Sequence, residues 1–102
     1  MSESSNQLLM VFEKLNSQNY AVWSRRMYMA LEGRGRLSYI TAKPPPPEDP
    51  TFSKWKQDNS TIKSWIIENI EGGIVNQFLD YPSSRELWTG IEVTFSGGQD
   101  EL

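Results

Sequence analysis

The residues that could carry out chemistry are few in this chain, and they do not converge on one site. The sequence contains no cysteine and no histidine, which excludes thiol nucleophiles, disulfides, imidazole acid–base catalysis and Cys/His zinc sites. Glu48 and Asp49 are adjacent carboxylates, but Asp49 suits a helix cap and Glu48 a solvated position. We therefore predict no catalytic residue, no metal and no cofactor, and we expect that the chain is not an enzyme.

Two glycine motifs and one basic stretch are candidate phosphate-binding sites. Gly33 to Gly35 and Gly72 to Gly73 lack the lysine or the preceding strand that phosphate-binding loops require. Four arginines form a candidate basic patch, although the net charge of the chain is −3. They are Arg25, Arg26, Arg34 and Arg36. Such a group more often forms a solvated face, so weak RNA binding is only an alternative hypothesis.

The elements that must position these residues are helices. The longest periodic pattern runs from Phe52 to Ile70 and places apolar residues on one helical face. Asp49 and Pro50 are typical of a helix start, and Gly72 and Gly73 of a helix end. This pattern predicts a helix of about five turns.

Two more long helices and two short ones complete the pattern. A second long helix is predicted from Tyr20 to about Glu32, and a third begins at a capping box formed by Ser83 and Glu86. Short helices are predicted near residues 37–40 and 74–79. The predicted fold is all-α, a small bundle of about five helices, three long and two short, with an extended N-terminal arm.

The domain boundaries follow composition. Residues 1–7 are polar and serine-rich and are predicted to be flexible, residues 8–96 form one helical domain, and residues 97–102 form a loose end where Gly97 and Gly98 stop the last helix. The segment from Leu8 to Leu15 is apolar without a helical or alternating period. It suits an arm laid over the core or a short helix, and we favour the arm.

The predicted core consists of the apolar residues that share the inner helix faces. They are Tyr20, Trp23, Met27, Leu31, Trp55, Ile62, Trp65, Ile66, Ile70, Phe78, Leu87, Trp88, Ile91 and Phe95. Asn59 interrupts the apolar face of its helix and is interpreted as a buried, hydrogen-bonded amide. Replacing Trp55 or Trp65 by Ala is expected to cost about 3 to 5 kcal/mol of stability.

A second set of apolar residues has no evident place in that core and is predicted to contact another protein. It comprises Leu8, Leu9, Met10, Val11 and Phe12 of the arm, with Val22 and Met29 on the outer face of the first long helix. Singly exposed apolar residues are also common on protein surfaces without a binding role, so the alternative that Val22 and Met29 are ordinary surface residues stays open. Pro44–Pro47 fits a P-x-x-P ligand motif, but a stiff bridge between two helices is the favoured interpretation.

Residues 14–40 resemble the N-terminal region of the Gag polypeptide of copia-type long-terminal-repeat retrotransposons, which are common in plant genomes. The residues that carry the resemblance are Lys14, Leu15, Asn19, Tyr20, Trp23, Ser24, Leu31, Leu37 and Ile40, and downstream Trp55, Asp58, Ser64, Trp65, Ile66, Ile70 and Glu86 to Trp88. It covers roughly residues 12–96. One departure is Ser17-Gln18, where the family usually has a glycine in the turn.

The resemblance implies a non-enzymatic, capsid-like structural domain, similar to the N-terminal domain of retroviral capsids, that self-associates in virus-like particles. It implies a homo-oligomer or another Gag-like chain as partner, with RNA bound only through downstream regions and no membrane contact. We expect the chain to be an N-terminal piece of such a protein, in the cytoplasm or alternatively the nucleus. The competing hypothesis is a domesticated host adaptor that binds an unrelated protein.

Overall fold

Four α-helices and one 3₁₀ helix form the regular structure of residues 9–11 and 13–99, the part of the chain that the computed structural model describes. The helices are α1 (Tyr20–Gly33), α2 (Ser38–Thr41), α3 (Phe52–Glu68) and α4 (Ser84–Gln99), and the 3₁₀ helix is Val75–Phe78. These residues contain no β-strand, and their one β-type pairing is an isolated parallel bridge between Leu15 and Ile70. The prediction of an all-α chain is confirmed.

The last helix, α4, packs against every other helical element, since it contacts α1, α2, α3 and the 3₁₀ helix. Its inner residues Leu87 and Ile91 are completely buried. The buried apolar residues form one cluster that also contains Leu9, Leu15, Trp23, Met27, Leu31, Ile40, Ile62, Trp65, Ile66, Ile70 and Phe78. Because one helix touches all the others, the core depends on a segment far along the chain from α1.

Four residues predicted for the core are only half-buried. Tyr20, Trp88 and Phe95 pack against the buried cluster from its edge. Trp55 does not: its ring stacks on Phe52 and Tyr39 with centroid distances of 5.8 and 6.4 Å. The prediction that Trp55 belongs to the core is wrong, because the first turns of α3 lie beside α2 rather than within the cluster.

Asn69, directly after α3, attaches the N-terminal arm to the domain. Its side-chain amide nitrogen donates to the carbonyls of Leu9 at 2.7 Å and Trp65 at 2.8 Å. Its side-chain oxygen accepts from the Val11 N–H at 3.0 Å. Asn69 is completely buried, so all three of its side-chain hydrogen bonds are made in a water-excluded place.

The main chain of Asn69 joins three segments at the same point. Its carbonyl accepts from the Leu15 N–H and from the indole N–H of Trp23, both at 2.9 Å. Two residues later, the N–H of Glu71 donates to the Leu15 carbonyl at 3.0 Å. The arm, α1 and the end of α3 are therefore connected through one residue that the sequence pattern did not single out.

These contacts also change where α3 ends. The helix stops at Glu68, so the predictions that it continues to Ile70 and ends at Gly72 and Gly73 are wrong. Ile70 instead takes part in the bridge with Leu15. The physical reason is that the backbone after Glu68 bonds to the arm, which a helical continuation would not allow.

Two other helix boundaries follow local sequence signals. After α1, the N–H of Gly35 bonds to the Glu32 carbonyl and that of Arg36 to the Leu31 carbonyl, and Gly35 has φ of 71°. This is a Schellman motif with glycine at its left-handed position. Ahead of α4, the Ser83 hydroxyl accepts from the Glu86 N–H at 3.1 Å, which confirms the predicted cap.

The final helix is longer than predicted. α4 runs to Gln99, so the prediction that Gly97 and Gly98 stop it is wrong. A glycine lowers helix stability by about 1 kcal/mol but keeps its backbone donor, whereas a proline would remove one. Two adjacent glycines therefore weaken the last turns without interrupting their hydrogen bonds.

Candidate protein-interaction surface

The outer face of α1 exposes apolar side chains. Met29 is 68% exposed, Val22 54% and Tyr28 41%. The opposite face of α1 carries Trp23 and Met27, which are almost completely buried. The inner face of α1 thus packs in the core, whereas these three outer apolar side chains remain exposed.

A groove runs between α1 and α4 beside Met29. It has a volume of about 290 Å³ and is lined by Tyr20, Ser24, Arg25, Tyr28, Met29 and Trp88. We call this the α1–α4 groove. Trp88 and Tyr20 form its floor, and each also packs on Trp23, with ring centroids 5.8 and 6.4 Å away. The floor is thus continuous with the core, which holds it rigid.

The two helices beside the α1–α4 groove carry residues of opposite charge. Arg25 lines the groove from α1, and Glu92 lies one turn after Trp88 on α4 and is exposed. The pKa of Tyr20 is raised above its usual value, first by burial and then by the negative charge of Glu92. The neutral phenol of Tyr20 therefore persists at physiological pH.

Val22 does not line this groove. It borders a smaller one of about 100 Å³, together with Glu13, Asn19, Trp23 and Arg26. The predicted pair Val22 and Met29 does lie on one exposed face, but the two residues open onto different grooves. Tyr28 was not predicted, although it precedes Met29 and lies one turn after Ser24.

The arm is only partly available for contact. Leu9 is 1% exposed and belongs to the buried cluster, so the prediction that it contacts another protein is wrong. Val11 is half-buried against the same cluster, whereas Met10 is 57% exposed. Leu8 and Phe12 lie outside the described residues. The arm is therefore mainly an internal element, because Asn69 holds its backbone.

The four arginines of the predicted basic patch fall into two groups. Arg25 and Arg26 are exposed on α1. Arg34 lies over the ring of Trp65, 5.0 Å from its centroid, and Arg36 donates to the Arg34 carbonyl at 3.2 Å. The second pair is half-buried in contacts of its own chain, which favours a structural role for it.

No other arrangement with chemical potential is found in the described part of the chain. There, no cluster of three or more acidic, histidine or cysteine side chains exists that could hold a metal, and every buried side-chain nitrogen or oxygen has a partner. Asp49 accepts from the hydroxyl and the N–H of Thr51 at 2.7 and 2.8 Å, and these bonds lower its pKa below 3.8. It is a capping residue.

One finding concerns membranes: among the described helices, none combines the length and the apolar character that crossing a bilayer requires.

Comparison with known proteins gives one match. Residues 4–48 match the family described as Gag-polypeptide of LTR copia-type, a segment that contains α1 and α2. No curated protein and no solved structure gives a significant match. Residues 4–48 are thus similar to the Gag polypeptide of copia-type LTR retrotransposons.

Proposed function

We propose that this chain is the capsid-like structural domain of a copia-type Gag polypeptide, and that copies of it associate through the outer face of α1 during particle formation. The family match supports the Gag part of the proposal, because its residues 4–48 include the whole of α1. The all-α fold is compatible with a capsid-like domain, whose work is to present surfaces rather than to carry out a reaction.

The observation that carries the proposal is the exposure of Tyr28 and Met29 beside the α1–α4 groove. Met29 is 68% and Tyr28 41% exposed, and Trp88 extends the apolar surface onto the neighbouring helix. A contiguous apolar patch framed by a charged residue is typical of a protein–protein contact site. Tyrosine, tryptophan and methionine are also residue types enriched at such sites.

Sedimentation velocity from about 10 µM to about 1 mM tests this proposal. We expect reversible association of the wild type, and we expect Met29→Asp to weaken it at least about tenfold, because a charge would be buried in the contact. Electron microscopy under particle-forming conditions tests the same variant in assembly.

Val93→Asp is the matched control. Val93 is also 68% exposed, but it lies on α4 next to Tyr81 and Thr89, away from the α1–α4 groove. This variant should associate like the wild type. A chain that stays monomeric at every concentration would contradict self-association, and equal effects of the two variants would contradict the assignment to α1.

A further inference from the structure

We propose that the α1–α4 groove binds the same groove of a second copy across a two-fold axis, with Arg25 of each copy paired to Glu92 of the other. The inference rests on the proposed function and deepens it, since it names the partner, the symmetry and the charged pair of that same surface.

The first argument is the distribution of charge. Arg25 lines the groove from α1. Glu92 follows Trp88 by one turn of α4, so both side chains emerge on the same side of that helix. The groove therefore has an apolar floor and a basic edge on α1, and the exposed carboxylate of Glu92 lies next to Trp88 on α4.

The second argument is that these two charges form no ion pair within the described residues. Both Arg25 and Glu92 are exposed. By contrast, Lys54 and Asp58 on α3 do form an ion pair, at 2.7 Å. Arg25 and Glu92 are thus free to meet charges of a partner.

The third argument is symmetry. In a two-fold dimer the same patch serves both copies, and an axis that runs along the groove places the α1 edge of each copy against the α4 edge of the other. An apolar patch with one basic and one acidic edge is complementary to itself under that operation, and both Arg25–Glu92 pairs form at once. Tyr28, Met29 and Trp88 would be enclosed between them. An unrelated partner would have to reproduce this charge arrangement by chance.

The size of the groove sets the strength. The six residues that line the groove are few beside the roughly 20–30 residues per partner of a standard stable interface. The dimer is therefore weak and reversible, which suits a contact that is repeated many times in a particle, where multivalency supplies the remaining strength.

Charge reversal tests the pairing, again by sedimentation velocity. Arg25→Glu and Glu92→Arg should each abolish the wild-type dimer, because each places two like-charged pairs across the axis. An equimolar mixture of the two variants should restore dimers, because one copy then offers two acidic edges and the other two basic ones. Lys56→Glu, which makes the same change of charge at an exposed position on α3, should dimerise like the wild type.

The outcomes separate this inference from the proposed function. If the wild type associates but the mixture stays monomeric, the Arg25–Glu92 pairing is wrong and the self-association proposal stands. If the first oligomer that the wild type forms is larger than a dimer, the two-fold axis is wrong. A wild type that never associates overturns both. Recovery in the mixture supports the pairing and also shows that both variants fold.

Discussion

The two ends of α3 offer similar residues and yet make different structures. At the C-terminal end, Trp65 is 3% exposed, and Asn69 is buried with its whole side chain hydrogen-bonded. At the N-terminal end, Trp55 is half-buried and stacks on Tyr39, whose hydroxyl donates to Asp58 at 2.9 Å. The C-terminal end of α3 thus forms a buried contact with other segments, whereas the N-terminal end forms a contact at the surface.

The difference shows what helical spacing can and cannot report. Both tryptophans lie on or beside the apolar face of the same helix, so the pattern treats them alike. Their surroundings differ because the arm and α1 contact the C-terminal end, whereas the short helix α2 lies against the N-terminal end through the Tyr39–Trp55 ring contact. Burial is therefore decided by which segments return to a helix, and not by its own periodicity.

The clearest test of this difference is to replace by alanine one tryptophan that packs at each end of α3. Trp23 of α1 packs at the buried end of α3, where it is 1% exposed and its indole N–H donates to the Asn69 carbonyl. Trp23→Ala should lower the free energy of unfolding by about 3 to 5 kcal/mol, whereas Trp55→Ala should lower it by only about 1 to 2 kcal/mol, because less area is lost. Urea denaturation measures both. Equal losses would mean that the two ends do not differ.

Asn69→Asp tests the buried contact at the C-terminal end of α3. The substitution keeps the shape but turns two donated hydrogen bonds into repulsion of the Leu9 and Trp65 carbonyls. We expect a loss of about 3 kcal/mol at neutral pH, measured by the same denaturation. Asn76→Asp, at an exposed position, should change stability by less than about 0.5 kcal/mol. A comparable loss at both positions would remove the special role of Asn69.

The stability that the surface contact at the N-terminal end of α3 contributes should decrease in acid. Burial alone would raise the pKa of Asp58, but hydrogen bonds from Lys54 and Tyr39 hold it below 3.8. A carboxylate whose pKa is lower in the folded chain stabilises it above the unfolded-state pKa, and this contribution disappears as the pH falls through the folded-state value.

We therefore expect the wild type to exceed Asp58→Asn by about 1 kcal/mol at pH 7. Thermal melts between neutral pH and acid should show this advantage shrinking below about pH 4. A stability difference that stays constant over that range would mean that the Asp58 carboxylate is not stabilised by its two partners.

The smallest expected effect concerns the turn that leads from the arm into α1. Ser17 has φ of 75°, in the left-handed region that favours glycine. The Asn19 side chain supports this turn by accepting from the Asn16 N–H at 3.0 Å. Ser17→Gly should raise stability by about 0.5 kcal/mol, whereas Ser53→Gly, inside α3, should lower it by a similar amount. A loss at both positions would show that Ser17 is not strained.

Much of the local structure was predictable because its causes are local. The start of α1, the cap at Ser83 and the short helix after Leu37 follow from neighbouring residues. Asn59 was also predicted to be a satisfied buried amide, and it accepts from the Ser84 N–H at 2.7 Å. A polar residue on an apolar face is itself a signal, since burial requires a partner.

Apart from the end of α4, the wrong predictions depend on contacts between distant segments. Leu9 was predicted to contact another protein because it has no evident place in the predicted core, but its partner, Asn69, lies 60 residues away. The same contact moved the end of α3. Tyr28 was overlooked because its importance comes from Trp88, which completes the groove from another helix. No window of sequence contains both members of such pairs.

By itself, the sequence determined the helical content, most helix boundaries and the similarity of residues 4–48 to the copia-type Gag family, because propensity, capping and family motifs depend on residues close together in the chain. Only the tertiary structure decided which apolar residues are core and which are surface. Burial is a property of the space between segments, and here α4 and the arm close over the core from opposite ends of the chain.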